Sequence, residues 1–190
     1  KKIVGIVANI RPVKGYEHFV SSAAIIIKQK PETHFLVGGN IHDNQYYFDQ
    51  LQDQIRQADM EGAFTFLHDC QQIPEVLGLM DIAVLSSLSE GFSITLLEYM
   101  AAQKPVVVPD VGGNSEAVIQ NHSGILVPPS DKKALSSAVI KLISQPEFAG
   151  CLAENARKRV VENFSRSVIF DDHKTLYRRL MRFNSHQPQT

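Results

Sequence analysis

Residues 80–103 read MDIAVLSSLSEGFSITLLEYMAAQ, and the order of features along this stretch decides the fold. The stretch begins with an apolar run, Ile82 to Leu85, which is typical of a strand buried on both faces. A loop through Gly91 follows, and residues 93–103 then carry apolar side chains at helical spacing. A buried strand that leads through a loop into a helix is the repeating unit of a parallel α/β sheet.

The same unit recurs on either side of this stretch. We predict strands at residues 3–8, 33–37, 64–67, 82–85 and 105–108, with a short edge strand at 124–127. We predict helices at residues 16–28, 43–58, 73–80, 93–103, 131–144, 146–163 and 165–183. In the helix at 93–103 we expect Ile94, Leu97 and Ala101 to face the core. The sequence therefore predicts an α/β fold, with a Rossmann-like parallel sheet flanked by helices.

The composition is that of an ordinary globular domain. The chain has 190 residues and a formal net charge of -1, with 21% charged and 44% hydrophobic residues, and this length can bury a substantial core. A near-neutral chain is not expected to bind nucleic acid, because the domains that do so are usually basic. Two cysteines, Cys70 and Cys151, are too few for a disulfide framework and indicate a reducing compartment, the cytoplasm.

The loops beyond the carboxyl ends of the strands are where an open parallel sheet binds ligands. The first loop, NIRPVKG at residues 9–15, places Arg11 and Lys14 beside the start of a helix. Free amide groups and the helix dipole favour an anion there, and two cations would make the loop a diphosphate clamp. The alternative is an ordinary loop with two exposed cations.

The second loop and the start of the helix after it, EGFSITLLE at residues 90–98, contain two carboxylates. Glu90 precedes the predicted helix, and Glu98 lies within it on the same face as Thr95. Gly91 permits a close backbone approach to a ligand, and Ser93 is placed to cap the helix. Carboxylates accept hydrogen bonds, which suits sugar hydroxyls better than phosphate. The alternative is an exposed helix residue together with an acid that interacts with the helix dipole.

A third loop, VGGNSE at residues 111–116, combines paired glycines with Asn114 and Ser115 as candidate helix caps. A purely structural turn is an equally good interpretation of this loop. The sequence contains no GxGxxG after the first strand, no P-loop motif and no GxSxG elbow. These absences argue against a nicotinamide-dependent dehydrogenase, a P-loop NTPase and a hydrolase.

Glu90 and Glu98, with seven residues between them, resemble the E-x7-E motif of retaining glycosyltransferases of family 4. The resemblance extends over roughly residues 3–165. The segments that carry it are FLHDCQQIPEV at 66–76, MDIAVLSSLSEGF at 80–92, LEYMAA at 97–102, residues 106–118, and GILVPP at 124–129. Several motifs in the family's order are far more specific than one carboxylate pair.

This resemblance implies the GT-B architecture, in which two Rossmann-like domains face each other across a cleft. The chain looks like the C-terminal half, which holds the nucleotide-sugar donor. Residues 1–165 would form this donor-binding domain. Residues 166–190 would form a C-terminal helix and tail that packs back toward a missing N-terminal acceptor domain.

The resemblance also implies roles for individual residues. Lys14 and Arg11 would hold the diphosphate and Glu90 a hydroxyl of the sugar, so these three are the candidate catalytic residues. The other candidate donor-binding residues are Gly15, Cys70, Gln71, Gly91, Phe92, Ser93, Ile94, Thr95 and Glu98. The chain departs from the family at Ala8-Asn9, where Gly-Arg is usual, and Arg11 comes two residues later.

Within that set, Glu98 would accept hydrogen bonds from the ribose hydroxyls. Residues 91–95 would offer backbone amides to the sugar and the phosphates. Backbone groups near Cys70 and Gln71 would contact the base.

The implied activity is the retaining transfer of a hexose from a nucleoside-diphosphate sugar, a UDP-hexose on family grounds, to an acceptor. No metal and no cofactor are expected, and the isolated chain should be inactive without the acceptor domain. The acceptor would be a saccharide or a lipid-linked molecule. The basic last helix leaves open a peripheral contact with the inner face of the membrane. The alternatives are a nucleotide-sugar epimerase of the same architecture and a non-catalytic nucleotide-sugar-binding module.

Overall fold

The computed structural model describes residues 1–40, 44–68 and 72–184, with side chains described as far as Met181. Six strands form one sheet: β1 (Lys2–Val7), β2 (Thr33–Gly39), β3 (Phe64–His68), β4 (Ile82–Val84), β5 (Val106–Pro109) and β6 (Ile125–Val127). Their order is β3-β2-β1-β4-β5-β6, and every pairing is parallel. The predicted Rossmann-like parallel sheet is confirmed, as is the edge strand at its β6 end.

Eight helices connect and flank these strands in the described part of the chain. They are α1 (Tyr16–Gln29), α2 (Gln45–Gln57), α3 (Ile73–Leu79), α4 (Ile94–Ala101), α5 (Asn114–Ala117), α6 (Lys132–Ser144), α7 (Pro146–Phe164) and α8 (Arg166–Asn184). Within the described residues, no helix is both long and apolar enough to cross a membrane.

The centre of the sheet is buried on both faces, as the continuous apolar runs of β1, β4 and β5 predict. On one face, Val4 and Ile6 of β1 belong to a core that also includes Phe19 of α1. On the other face, Val7 belongs to a second core with Leu96 of α4. Because side chains alternate along a strand, β1 contributes to both cores and forms the centre of the domain.

The predicted core face of α4 is wrong. Ile94 is 72% exposed, whereas Leu96, Tyr99 and Met100 are fully buried. Two apolar stripes at helical spacing exist in this helix, one starting at Ile94 and one at Leu96. The second stripe carries the larger side chains, so its burial removes more apolar surface from water.

Tyr99 joins α4 to the carboxyl end of β1. Its phenol oxygen accepts a hydrogen bond from the Val7 N–H at 2.6 Å and lies 3.3 Å from the Val7 carbonyl oxygen. Burial raises the pKa of Tyr99 well above its ordinary value, and the negative charges of Glu98 and Glu90 raise it further, while the hydrogen bond with Val7 lowers it. The neutral phenol is therefore part of the native core.

We expect Tyr99→Phe to lower the free energy of unfolding at pH 7 by about 1–3 kcal/mol. The Val7 N–H would lose its acceptor in a buried place, and a buried donor without a partner is costly. Chemical denaturation measures the change. Tyr46→Phe is the matched control: Tyr46 is 74% exposed, and its substitution should change stability by less than about 0.5 kcal/mol.

The stability difference between the wild type and Tyr99→Phe should also depend on pH, in a direction that the raised pKa of Tyr99 determines. The folded-state pKa of Tyr99 is raised, so its contribution to stability is complete below the unfolded pKa, about 10, and falls as the pH rises above it. Phenylalanine does not ionise, so the variant does not lose stability at this position as the pH rises. The stability deficit of Tyr99→Phe should therefore shrink between pH 10 and pH 11.5, a range set by the unfolded value near 10. A deficit that stays constant over this range would contradict the buried-phenol account.

Candidate functional site

The strand order changes direction between β1 and β4. From β1 the chain continues to β2 on one side, whereas β4 continues to β5 on the other side. Such a switch point opens a crevice beyond the carboxyl ends of the two strands, where ligands of open α/β sheets bind. The loop at residues 8–15 and the loop at residues 85–93 border this crevice.

An ion pair joins the two loops. Lys14 Nζ lies 2.7 Å from Glu90 Oε1, and the two side chains are 26% and 10% exposed, respectively. Ser87 Oγ donates a second hydrogen bond, of 2.6 Å, to the same carboxylate oxygen. Within the described residues, Glu90 Oε2 accepts no hydrogen bond from a protein group. The protein therefore holds Glu90 through its Oε1 atom.

Two adjacent buried serines, Ser86 and Ser87, hold this pair in place. Ser86 Oγ donates to the Lys14 carbonyl oxygen at 2.9 Å, so it fixes the backbone of the cation. Ser87 fixes the carboxylate. Sequence reasoning missed both serines. The available signal was two small hydroxyl residues directly after a buried strand, where an apolar pair would be the default.

The close approach of the two loops explains the glycine that follows Lys14. Gly15 has φ +60° and forms the N-cap of α1 after a 3-10 turn at Pro12–Lys14. A Cβ atom at Gly15 would overlap the carbonyl oxygen of Ser86. Arg11 is exposed and directly precedes the turn. Gly15 thus serves the geometry that brings Lys14 to Glu90.

The second carboxylate of the motif, Glu98, is exposed on α4, and Thr95 is half-buried. Both Glu98 and Glu90 raise the pKa of Tyr99, after the larger effect of burial. Both carboxylates are therefore near the Tyr99 phenol, which lies at the carboxyl end of β1. This is the arrangement expected from their positions in the loop and one turn into the helix.

The amino end of α4 has the predicted cap. Ser93 Oγ accepts a hydrogen bond from the Leu96 N–H at 3.3 Å. Helix geometry leaves the N–H groups of Ile94 and Thr95 without intrahelical acceptors. Phe92 and Ile94 are 41% and 72% exposed, so the loop presents apolar side chains beside these amides.

The predicted caps of the third loop are wrong. Gly113, and neither Asn114 nor Ser115, is the N-cap residue of α5. Asn114 is fully buried and its Nδ2 donates to the Pro109 carbonyl oxygen at 2.9 Å, so its side chain reaches back to the strand. The Gly113 N–H donates to the Gly91 carbonyl oxygen at 2.6 Å, which ties the third loop to the second.

Two predicted site residues, Cys70 and Gln71, lie outside the described residues. One depression, of about 240 Å³, lies at the opposite edge of the sheet, near the amino ends of β1, β4 and β5 at Lys2, Ile82 and Pro105. Open parallel sheets bind their ligands at the other end, beyond the carboxyl ends of the strands. The ion pair at the switch point, rather than this depression, is the candidate site.

Comparison with known proteins gives related sequences. A lipopolysaccharide core biosynthesis mannosyltransferase, LpcC of Rhizobium leguminosarum bv. viciae, is 30% identical over 166 residues, which cover 87% of this chain and 47% of the relative. The N-acetyl-alpha-D-glucosaminyl L-malate synthase of Bacillus anthracis is 28% identical over 96% of this chain and 46% of its own length. The chain thus spans about half the length of the curated relatives it matches.

Solved structures share the fold of this chain. The C-terminal domain of a glycosyl transferase group 1 family protein, LpcC from Francisella tularensis, superposes with a TM-score of 0.80 at 26% identity, covering 87% of each chain. HepE of Anabaena, solved with UDP and glucose, gives a TM-score of 0.86 at 24% identity, over 92% of this chain and 48% of HepE. The fold is that of the C-terminal half of the GT-B architecture. The family model described as Glycosyl transferases group 1 matches residues 1–159, and the chain belongs to that family.

Proposed function

We propose that the chain is the donor-binding domain of a retaining glycosyltransferase of family 4, which transfers a hexose from a nucleoside-diphosphate sugar to an acceptor. The observation that carries this proposal is the Lys14–Glu90 ion pair at the switch point, with each partner held by a buried serine. The pair places a cation beside a hydrogen-bond acceptor. In such a donor the bond that breaks joins the sugar to the diphosphate, so the cation would face the diphosphate and the acceptor would face the sugar.

Lys14 is the proposed electrostatic catalyst. The bond between the anomeric carbon and the diphosphate oxygen breaks, and the negative charge that develops on the diphosphate is stabilised by Lys14 and the nearby helix amides. Arg11 is the second cation of this clamp. The acceptor hydroxyl attacks the anomeric carbon from the same face, and its proton passes to the departing diphosphate.

Glu90 and Glu98 are proposed to bind hydroxyl groups. Glu90 Oε2 would accept from the sugar, while Lys14 and Ser87 hold Oε1. A carboxylate held in this way positions the sugar and does not attack it. Glu98, exposed on α4, would accept from the ribose. The proposal includes the other donor-binding residues in the roles that the family resemblance implies, and it includes neither a metal ion nor a cofactor.

The two segments of the chain have different proposed tasks. Residues 1–165 bind the donor, and residues 166–190 pack toward the acceptor domain. The support for the second task is that α8 has exposed apolar side chains along its length, namely Ile169, Phe170, Leu176, Tyr177, Leu180 and Met181. We place the complete enzyme in the cytoplasm, where its acceptor is a saccharide or a lipid-linked molecule at the inner face of the membrane.

The proposal is tested by calorimetric titration of the chain with UDP, GDP and ADP and with their glucose, mannose and N-acetylglucosamine conjugates. We expect one base series, that of UDP, to bind with a dissociation constant between about 1 μM and 1 mM, the range of roughly −8 to −4 kcal/mol. If a folded chain binds none of these ligands, the donor-domain proposal is wrong.

Product analysis of the full-length protein separates the rival activities. A transferase releases the nucleoside diphosphate only when an acceptor is present. An epimerase converts the nucleotide sugar into an isomer without any acceptor. A binding module forms neither product.

A further inference from the structure

Phe92 in the second loop is held by the last turn of α7. Its ring centroid lies 5.4 Å from that of Phe164, with the rings tilted by 44°. On its other side the Phe92 ring lies so close to Gly113 that a Cβ atom there would overlap it. Phe92 is therefore placed between the third loop and the end of a long helix, although it is 41% exposed.

Arg159 links the same helix to the third loop. Its Nε donates to the Ala117 carbonyl oxygen and its Nη2 donates to the Glu116 carbonyl oxygen, each at 2.7 Å. Both acceptors lie in α5, directly after Gly113. The Arg159 guanidinium also lies 5.8 Å from the centroid of the Phe164 ring.

These contacts form a closed circuit. The second loop is bonded to the third loop through Gly113 and Gly91, the third loop leads into α5, and α5 is bonded to Arg159. Phe164, on the same helix as Arg159, packs against Phe92 of the second loop and closes the circuit. Phe164 acts on the second loop through the Phe92 ring, and Arg159 acts on it through α5 and Gly113.

Resting on the proposed function, we propose that Phe164 and Arg159 are positioning residues that hold residues 90–93 in the conformation that binds the donor. Phe164 is the last residue of α7, and Ser165 has extended backbone that separates α7 from α8. The loop is thus fixed by the residue next to the point where α8 leaves the domain. An aromatic pair contributes enough free energy to shift a local equilibrium by about two- to tenfold.

The test uses Phe164→Leu, which keeps an apolar side chain but removes the ring. Amide hydrogen exchange is followed in the ligand-free chain at Gly113, whose N–H bonds to the Gly91 carbonyl oxygen. We expect exchange at Gly113 to be faster by about two- to tenfold, with no change at Leu85, whose N–H bonds to Val107 in the sheet. Phe164→Tyr keeps the ring and should restore the slow exchange.

Phe170→Leu is the matched control. It is the same substitution at a ring that also lies 5.8 Å from a cation, Lys174, but on α8 and outside the circuit. We expect no change at Gly113. The positioning role is overturned if Phe164→Leu does not change exchange at Gly113, or if Phe170→Leu changes it by the same factor. It is also overturned if Phe164→Leu makes exchange at Leu85 faster by the same factor as at Gly113.

Titration with UDP tests whether the position of the loop affects nucleotide binding. In Phe164→Leu the dissociation constant should rise by about the same two- to tenfold as the exchange rate. Failure of the wild-type chain to bind any nucleotide would overturn the proposed function, whereas the exchange experiment would still decide whether Phe164 positions the loop. The two failures are therefore distinguishable.

Discussion

Replacing Lys14 with methionine is expected to weaken the binding of a nucleoside diphosphate to this chain by about 10- to 100-fold. The estimate follows from the loss of one charge-assisted hydrogen bond, worth about 1.5–3 kcal/mol, at about 1.4 kcal/mol for each factor of ten. The substitution also leaves the Glu90 carboxylate, which is 10% exposed, without its cation. An uncompensated negative charge beside the diphosphate adds repulsion to the lost attraction. Calorimetric titration with UDP measures the change.

Lys2→Met is the matched control for this prediction. Lys2 Nζ also pairs with a carboxylate, Asp81 Oδ1 at 2.9 Å, but at the opposite edge of the sheet. Asp81 has a lowered pKa: burial alone would raise it, but the hydrogen bond from Ile3 N–H and the Lys2 cation outweigh that effect. Loss of this pair should leave the UDP affinity unchanged. Equal affinities of Lys14→Met and Lys2→Met would contradict the proposed role of Lys14.

A second comparison separates the diphosphate from the sugar. Glu90→Gln keeps the size of the side chain but removes the negative charge and one acceptor oxygen. We propose that Glu90 contacts the sugar, so this variant should weaken the binding of UDP-glucose more than that of UDP. Lys14→Met should weaken both ligands to a similar extent, because both contain the diphosphate.

The sequence was sufficient for the sheet because its central strands, β1, β4 and β5, are apolar runs of the kind that both-face burial requires. It was also sufficient to bring the loop of Lys14 and the loop of Glu90 to one edge, since the carboxyl ends of parallel strands lie on the same side. It could not assign the core face of α4, because Ile94 and Leu96 each begin an apolar stripe at helical spacing. The structure buries the stripe with the larger side chains, and Tyr99 of that stripe bonds to Val7 of β1.

The polar details of the site depend on contacts between residues far apart in sequence. Ser86 bonds to the backbone of Lys14, 72 residues away, and this contact has no local signature. Asn114 looked like a helix cap because asparagine often caps helices after a turn. Its side chain instead bonds to Pro109, because Gly113 already occupies the cap position. Local propensity predicts such positions only where tertiary contacts do not compete.

Gly112→Ala should have the largest effect on stability, lowering the free energy of unfolding by about 2–4 kcal/mol. Gly112 has φ +52°, a conformation that costs an L-residue about 1–2 kcal/mol. The chain tolerates this cost elsewhere, since Gln103 has φ +56°. At Gly112, however, a Cβ atom would also overlap the carbonyl oxygen of Glu90 and crowd that of Gly91. Those atoms are backbone, so they cannot rotate away as a side chain would.

Thermal unfolding distinguishes this overlap from a general penalty on alanine. A loss of 2–4 kcal/mol would lower the melting temperature by roughly 4–16 °C for a chain of this size. Gly150→Ala is the control: Gly150 lies within α7 with no atom within 4 Å of the position of a Cβ, so alanine should stabilise the chain by about 0.5–1 kcal/mol. If the chain instead accommodates Gly112→Ala by moving the second loop, stability is partly kept but Glu90 shifts away from Lys14, and UDP-glucose affinity falls. A variant that keeps both its stability and its affinity would show that the contact between Gly112 and Glu90 does not constrain the site.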